Sequence, residues 1–174
     1  MRKINTCCFT GHRPDRLYLY NSEEEVFSGI VAAVNNAVKD GYTDFLCGGC
    51  VGGDFLFAEA VIIARSEQPD KNIKLHMCLP CRNQAEMWNR EDRIKYSSYL
   101  DAADSVVCLN DKYINGCMKE RNRYMVDRSS LLIAAFNGSQ GGTAYTVKYA
   151  KSLGLRIVNL LETPVEESNQ LSFL

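Results

Sequence analysis

Short apolar runs rich in β-branched residues alternate along the chain with longer stretches whose apolar residues recur at helical spacing. The short runs predict six strands, at residues 4–10, 44–47, 73–79, 105–109, 131–136 and 156–160. One helix is predicted after Ser22, where a cap hydroxyl and three glutamates precede a periodic apolar stretch that ends at Gly41. Further helices are predicted at 54–66, 84–101, 119–129 and 143–153.

This alternation of strand and helix predicts an α/β protein with a three-layer, Rossmann-like fold. Its sheet should be mostly parallel and doubly wound, with helices on both faces. The chain has 174 residues, 46% of them hydrophobic, which suits one core of ordinary size. We therefore expect a single domain over residues 1–162, followed by a tail at residues 163–174 without clear periodicity.

Charge and hydropathy argue against two classes of partner, nucleic acids and membranes. The chain carries 20 Lys and Arg against 21 Asp and Glu, a net charge of −1, and neither half is strongly basic. A surface that grips a nucleic-acid backbone is usually basic, so we expect no nucleic-acid partner. No apolar run approaches the ~20 residues of a membrane span, and the start lacks the apolar stretch of a signal peptide. We expect a cytoplasmic protein without membrane contact.

Two glycine-rich turns each follow a predicted strand and open a predicted helix. Glycine lets the backbone approach a ligand closely, and a helix N-terminus offers free N–H groups and partial positive charge, so both turns predict phosphate binding. A tight strand-to-helix turn without a ligand is the alternative. Asp54 could hold a ribose hydroxyl or simply stabilise the helix dipole. The predicted binding residues of the turns are Gly48, Gly49, Gly52, Gly53 and Asp54, then Gly141, Gly142 and Thr143.

Further candidate ligand contacts come from other strand ends and helices. The first predicted strand leads into Thr10, Gly11, His12 and Arg13, of which His12 and Arg13 suit a phosphate or are plain turn residues. Trp88, the single tryptophan, could stack on a nucleobase or pack in the core. Further along, Arg121 and Asn122 fall in the predicted helix at 119–129, where an arginine is either a ligand contact or part of a solvated face.

The eight cysteines include two C-x-x-C pairs, Cys47 with Cys50 and Cys78 with Cys81. Four thiolates at neighbouring strand ends are compatible with a zinc site, and one pair near a helix start with a redox function. The 27 residues between the pairs exceed the usual zinc-ribbon spacing of ~15 to 20. We therefore favour reduced, buried thiols and expect neither a metal site nor a cofactor.

Several motifs together resemble a known family. They are Cys8-Phe9-Thr10-Gly11-His12-Arg13-Pro14, Gly48-x-x-x-Gly52-x-Asp54, Leu79-Pro80-Cys81-x-x-Gln84-Ala85-Glu86-x-Trp88, Arg121-Asn122-Arg123-Tyr124-Met125-Val126-Asp127 and Gly141-Gly142-Thr143. In this order the chain is similar to the YpsA-like branch of the SLOG superfamily, whose relatives include the Lonely Guy enzymes and the Rossmann domain of DprA. The resemblance implies a Rossmann-like pocket for a nucleotide-derived ligand, and it favours Arg121 and Asn122 over Arg123.

Three functions are compatible with the sequence, and the first two use this pocket. The first is a sensor or carrier that binds a nucleotide or nucleotide-derived small molecule at the carboxyl edge of the sheet. The second is hydrolysis of a nucleotide N-glycosidic bond, for which Asp54 and Glu59 are the available carboxylates. The Lonely Guy pattern P-G-G-x-G-T-x-x-E loses its Pro and Glu at residues 139–146 here, which favours the first function. The third is an adaptor that recruits a protein partner, and the resemblance also implies a homodimer or larger homo-oligomer.

Overall fold

A computed structural model describes residues 4–161, so the predicted tail lies outside the described residues. Strands and helices alternate as predicted, except that a short helix at residues 14–17 was not predicted. The strands are β1 (Thr6–Gly11), β2 (Asp44–Cys47), β3 (Lys74–Leu79), β4 (Ser105–Cys108), β5 (Leu131–Ala135) and β6 (Arg156–Asn159). The helices are α1 (Pro14–Leu17), α2 (Glu23–Lys39), α3 (Gly53–Glu67), α4 (Arg90–Ala102), α5 (Cys117–Asp127) and α6 (Gly142–Ser152), with a 3₁₀ turn at Pro69–Lys71. Within residues 4–161, no helix is long and apolar enough to cross a membrane.

All six strands form one parallel sheet in the order β4-β3-β2-β1-β5-β6. The chain builds outward from β1 to β4 at one edge and then returns to place β5 on the other side of β1. The direction of winding therefore reverses between β1 and β5, where a crevice forms outside the carboxyl ends of the strands. This confirms the predicted Rossmann-like α/β fold.

Helices pack on both faces of the sheet and make three layers. On one face, α2, α3 and α4 cover a core that contains Phe9, Phe45 and Phe57, and the rings of Phe9 and Phe57 stack with their centroids 4.7 Å apart. On the other face, α5 and α6 cover Cys8, Leu132 and their neighbours. Successive residues of a strand point to opposite faces, so a strand buried on both sides has the continuous apolar sequence seen in β1 and β5.

The predicted boundaries of strands and helices fall within two residues of the observed ones, except for the start of the helix at 84–101. The first strand begins at Thr6 rather than Ile4, because Ile4 lies in a turn with 89% of its surface exposed. The predicted helix at 84–101 begins at Arg90 rather than at residue 84. Asn89 caps α4 by accepting a hydrogen bond from the Asp92 N–H. Gln84 lies outside the helix and donates to the carbonyl oxygens of Gly48 and Gly49, in the turn that follows β2. The prediction started too early because residues 84–88, which precede the Asn89 cap, continue the helical spacing of apolar residues although they are not part of the helix.

Candidate ligand-binding site

A cavity of about 360 Å³ lies at the predicted place, outside the carboxyl ends of β1 and β5. Its walls are the loop after β1, the first turn of α1, the N-terminus of α6 and the inward face of α5. The residues that line it are Phe9, Thr10, Gly11, His12, Arg13, Asp15, Arg16, Cys50, Asp54, Met118, Arg121, Asn122, Met125, Gly142 and Thr143.

His12 joins the loops that follow β1 and β5. Its backbone N–H donates to the Ala135 carbonyl oxygen at 3.3 Å, and its Nε2 accepts from the Asn137 N–H at 3.2 Å. Burial lowers the pKa of His12, and a side-chain hydrogen bond with Asn137 only partly offsets that effect. The ring is therefore neutral at pH 7, with its proton on Nδ1. His12 positions the two loops and adds no positive charge to the cavity.

The N-terminus of α6 is open toward the cavity. Gly141 occupies the cap position and no side chain caps the helix, while Gly142 and the buried Thr143 follow in its first turn. A Cβ atom placed on Gly142 would meet nothing within 4 Å. Arg16 donates a hydrogen bond to the Gln140 carbonyl oxygen and so holds its guanidinium beside this helix end. An unfilled helix N-terminus next to an arginine is a favourable place for an anion.

The glycines of the turn between β2 and α3 allow close packing of the chain. Gly52 has φ +106°, and a Cβ atom there would come within 2.8 Å of the His12 carbonyl oxygen. That same oxygen accepts the Gly53 N–H at 3.2 Å. Gly48 lies against Arg121, and Gly49 lies against Met77. These four glycines let the chain pack on itself and are not among the residues that line the cavity, and their contact with phosphate stays a prediction.

Arg121 and Asp54 form a buried charged floor. Arg121 is 3% exposed and donates to the carbonyl oxygens of Gly48 and Cys78. Asp54 is 7% exposed and accepts the Cys50 N–H at 2.9 Å. Burial raises the pKa of Asp54, and the positive charge of Arg121 offsets part of that rise. The floor thus offers a guanidinium and a carboxylate that gains a proton more readily than an exposed one.

The structure gathers nine of the predicted ligand-binding residues around one cavity: Thr10, Gly11, His12, Arg13, Asp54, Arg121, Asn122, Gly142 and Thr143. Asn122 also donates to the Thr146 hydroxyl at 2.9 Å, which ties α5 to α6. Sequence reasoning missed the other six lining residues: Phe9, Asp15, Arg16, Cys50, Met118 and Met125. Pro14 at the first position of α1 was the available signal for Asp15 and Arg16, since proline commonly begins a helix.

Trp88 and Glu59 lie outside this cavity. Trp88 packs edge-on against Phe55 and Tyr96, at centroid distances of 6.0 and 5.2 Å. It borders an adjoining pocket of about 330 Å³ that shares Arg13 and Met118 with the ligand cavity. Glu59 is exposed on α3, where it accepts a 3.5 Å hydrogen bond from the Tyr99 hydroxyl. Of the two candidate catalytic carboxylates, only Asp54 therefore faces the cavity.

The eight cysteines are free thiols, and all but Cys108 are buried. Burial raises the pKa of Cys47 well above its usual value and that of Cys78 to about 11, the reverse of what a reactive thiolate needs. Among residues 4–161, no three His, Cys, Asp or Glu side chains stand close enough to share a metal ion. The zinc and redox alternatives thus find no supporting site in this part of the chain.

Known proteins resemble the chain over most of its length. The SPbeta prophage-derived protein YoqJ of Bacillus subtilis is 30% identical over 125 residues, which cover 65% of this chain and 72% of YoqJ. A UPF0398 protein of Bacillus pumilus is 25% identical over 150 residues, covering 82% of this chain and 80% of the relative. DNA processing protein A of Helicobacter pylori superposes with a TM-score of 0.62 at 15% identity, covering 88% of this chain and 64% of that one.

The last similarity shows a shared fold, since its sequence identity is low. A sequence profile covers residues 7–156 and is that of YpsA, described as the YspA SLOG family. The matched range includes every strand and helix apart from the first residue of β1 and the last three residues of β6. The chain therefore belongs to the YpsA family of SLOG proteins.

Proposed function

We propose that the protein binds a nucleotide or a nucleotide-derived small molecule at the carboxyl edge of its sheet, as a cytoplasmic sensor or carrier. The observation that carries this proposal is the open N-terminus of α6 beside Arg16, inside a cavity at the point where the winding reverses. Rossmann-like sheets bind their ligands at such points, and phosphates bind at such helix ends.

The other residues of the cavity suit the rest of such a ligand. Arg13 and Arg16 are exposed cations at its rim, while Arg121 supplies a positive charge to the floor. Thr10, Thr143 and Asn122 add polar side chains that can bond sugar hydroxyls. A volume of about 360 Å³ lies at the small end of the range for ligand pockets, about 300 to 1,000 Å³.

Asp54 supports hydrolysis of an N-glycosidic bond as a second candidate function. It is a buried carboxylate facing the ligand cavity, and burial raises its pKa, so that it takes up a proton more readily than an exposed carboxylate does. In a hydrolase it would activate the attacking water. A protein that only binds would use the same group to accept ligand hydrogen bonds.

Single-stranded DNA is an alternative ligand to a single nucleotide. The DNA processing protein A of Helicobacter pylori binds single-stranded DNA. The present chain has a net charge of −1, and the cavity mixes three arginines with two aspartates. We therefore expect a single nucleotide to bind in preference to an oligonucleotide.

The test is a calorimetric titration of the wild-type protein with adenosine and guanosine mono-, di- and triphosphates, ribose 5-phosphate and oligo-dT. We expect binding of at least one nucleotide and a loss of affinity of tenfold or more in Gly142→Val, which fills the open space at the α6 terminus, and in Arg16→Ala. Arg93→Ala, an exposed arginine of α4, is the matched control and should bind as wild type does. Equal affinity in all four proteins would contradict the proposed site.

Chromatographic detection of a released base separates the two functions. If the protein is a hydrolase, Asp54→Asn should abolish release while the nucleotide still binds, and Glu59→Gln should leave release unchanged. If the wild-type protein binds a nucleotide and releases no base, it is a sensor or carrier.

A further inference from the structure

A second groove, of about 340 Å³, lies at the other end of the sheet from the ligand cavity. It occupies the part of the sheet face beside α5, and Thr6, Asp44 and Ser105 on its walls are the first residues of β1, β2 and β4. His76 of β3 lies between the last two. The groove shares no lining residue with the ligand cavity, so any chemistry at the groove is independent of nucleotide binding at the cavity.

Three of these residues form a continuous hydrogen-bonded array across neighbouring strands. The Nε2 atom of His76 is 2.8 Å from Asp44 Oδ1, and its Nδ1 atom is 2.6 Å from Ser105 Oγ. An ionised carboxylate only accepts hydrogen bonds, so Nε2 carries the proton. In the neutral ring Nδ1 is then an acceptor, and the Ser105 hydroxyl donates to it.

The carboxylate is held in place from outside the array. Asp44 Oδ2 accepts from the Thr43 hydroxyl at 2.8 Å and from the Asn5 amide at 3.3 Å. These contacts leave Oδ1 directed at His76. Ser105 at the far end is exposed, so its hydroxyl can be reached from solvent.

The groove also carries a polar group without a partner. Thr6 is 2% exposed, and its hydroxyl makes no hydrogen bond within residues 4–161. A buried hydroxyl without a partner costs free energy that a hydrogen bond would recover. On the facing wall, the Arg128 guanidinium packs 3.5 Å above the Tyr124 ring and gives the groove a cation.

We propose that Ser105, His76 and Asp44 form a hydrolytic site for small carboxylic esters that carry an anionic group. The order nucleophile, imidazole, carboxylate is that of serine hydrolases, in which the triad is identified by geometry rather than by position in the sequence. Here the imidazole is turned around, with Nδ1 toward the serine. Arg128 would bind the anionic group, and the apolar side chains of Leu46 and Val107 would contact the acyl chain.

The reaction consumes only the ester and water. Ser105 Oγ bonds to the ester carbonyl carbon while its proton passes to His76 Nδ1, and His76 then protonates the departing alkoxide, which leaves as an alcohol. Water attacks the acyl-Ser105 carbonyl, gives a proton to His76, and releases the carboxylic acid as Ser105 regains its proton. Asp44 stays ionised and stabilises the imidazolium in both steps.

The experiment treats the full chain with a fluorophosphonate, which forms a stable adduct with activated serine, and locates the adduct by peptide mass spectrometry. We expect it on Ser105 in the wild type, with the labelling rate at least 100-fold lower in His76→Gln. Hydrolysis of mono-p-nitrophenyl succinate, an ester with a free carboxylate, should fall in parallel in Ser105→Ala. Ser98→Ala removes an exposed serine of α4 and should leave both readouts unchanged.

Any of three results would overturn the proposal: no adduct on Ser105, an adduct formed equally fast in His76→Gln, or ester hydrolysis that survives in Ser105→Ala. Circular dichroism of each variant confirms that it is folded. Because the exposed Ser105 adds no packing to the core, its replacement by Ala should leave the spectrum unchanged.

Discussion

Glycines that look alike in the sequence divide into two kinds in the structure. Gly52 is held at φ +106° against the His12 carbonyl oxygen, while Gly142 faces open space. Valine at Gly52 would strain the backbone and collide with that oxygen, so we expect Gly52→Val to lose about 3 kcal/mol or more of unfolding free energy. Gly142→Val should unfold as wild type does. Urea unfolding of both variants checks this, and a fully stable Gly52→Val would contradict it.

Arg121 is the residue on which the floor of the cavity depends. Its removal in Arg121→Met leaves the Gly48 and Cys78 carbonyl oxygens without this donor and the buried Asp54 without its nearby cation. We expect a loss of about 3 to 5 kcal/mol, measured by urea unfolding. The double variant with Asp54→Asn should lose less than the sum of the single changes, because the unpaired charge is gone. Strict additivity of the two losses would count against the coupling.

His12 makes stability depend on pH. Its pKa is lowered by burial, so the folded protein takes up a proton on His12 less readily than the unfolded chain does. The contribution of this residue is full above about pH 6.5 and falls as the pH drops toward the lowered pKa. The stability advantage of wild type over His12→Gln should therefore shrink between pH 7.5 and 5.5, by up to about 1.4 kcal/mol per pH unit. An advantage that is constant over this range would exclude the effect.

At the scale of elements, local signals decide where helices begin. Ser22 accepts from the Glu25 N–H at 3.1 Å while the Glu25 carboxylate accepts the Ser22 N–H at 2.8 Å, a complete capping box for α2. We expect Ser22→Ala to cost about 1 kcal/mol in thermal or urea unfolding. Ser28→Ala, at an exposed position inside α2, is the control and should be neutral or slightly stabilising. Equal effects of the two changes would contradict the role of the cap.

The helix α1 is too short to be predicted from the spacing of its apolar residues. Four residues provide no apolar period, so the pattern of residues 14–17 could not identify it. Its Arg16 nevertheless reaches the Gln140 carbonyl oxygen, 124 positions along the chain. The contact depends on β1 and β5 being neighbours, which is a property of the sheet.

At the scale of the whole molecule, we predict that the protein forms a homodimer or a larger homo-oligomer. Large apolar side chains such as Tyr20, Met87 and Tyr113 are exposed, and Met87 is 91% exposed. Exposed apolar groups favour association when they lie together in a patch. Sedimentation equilibrium should give a mass of at least twice the 19.6 kDa of one chain. A mass of 19.6 kDa at every concentration would refute the homodimer or larger oligomer.

The sequence alone determined the fold class, because continuous apolar strands alternating with amphipathic helices have few packing solutions. It also located most of the cavity residues, since the carboxyl ends of parallel strands meet at one edge. Only the tertiary structure decided which glycine turn faces the cavity, that Glu59 and Trp88 lie outside it, and that Arg16 joins it. Those outcomes depend on contacts between distant residues, such as Gly52 with His12 and Arg121 with Gly48, and local spacing contains no information about such contacts.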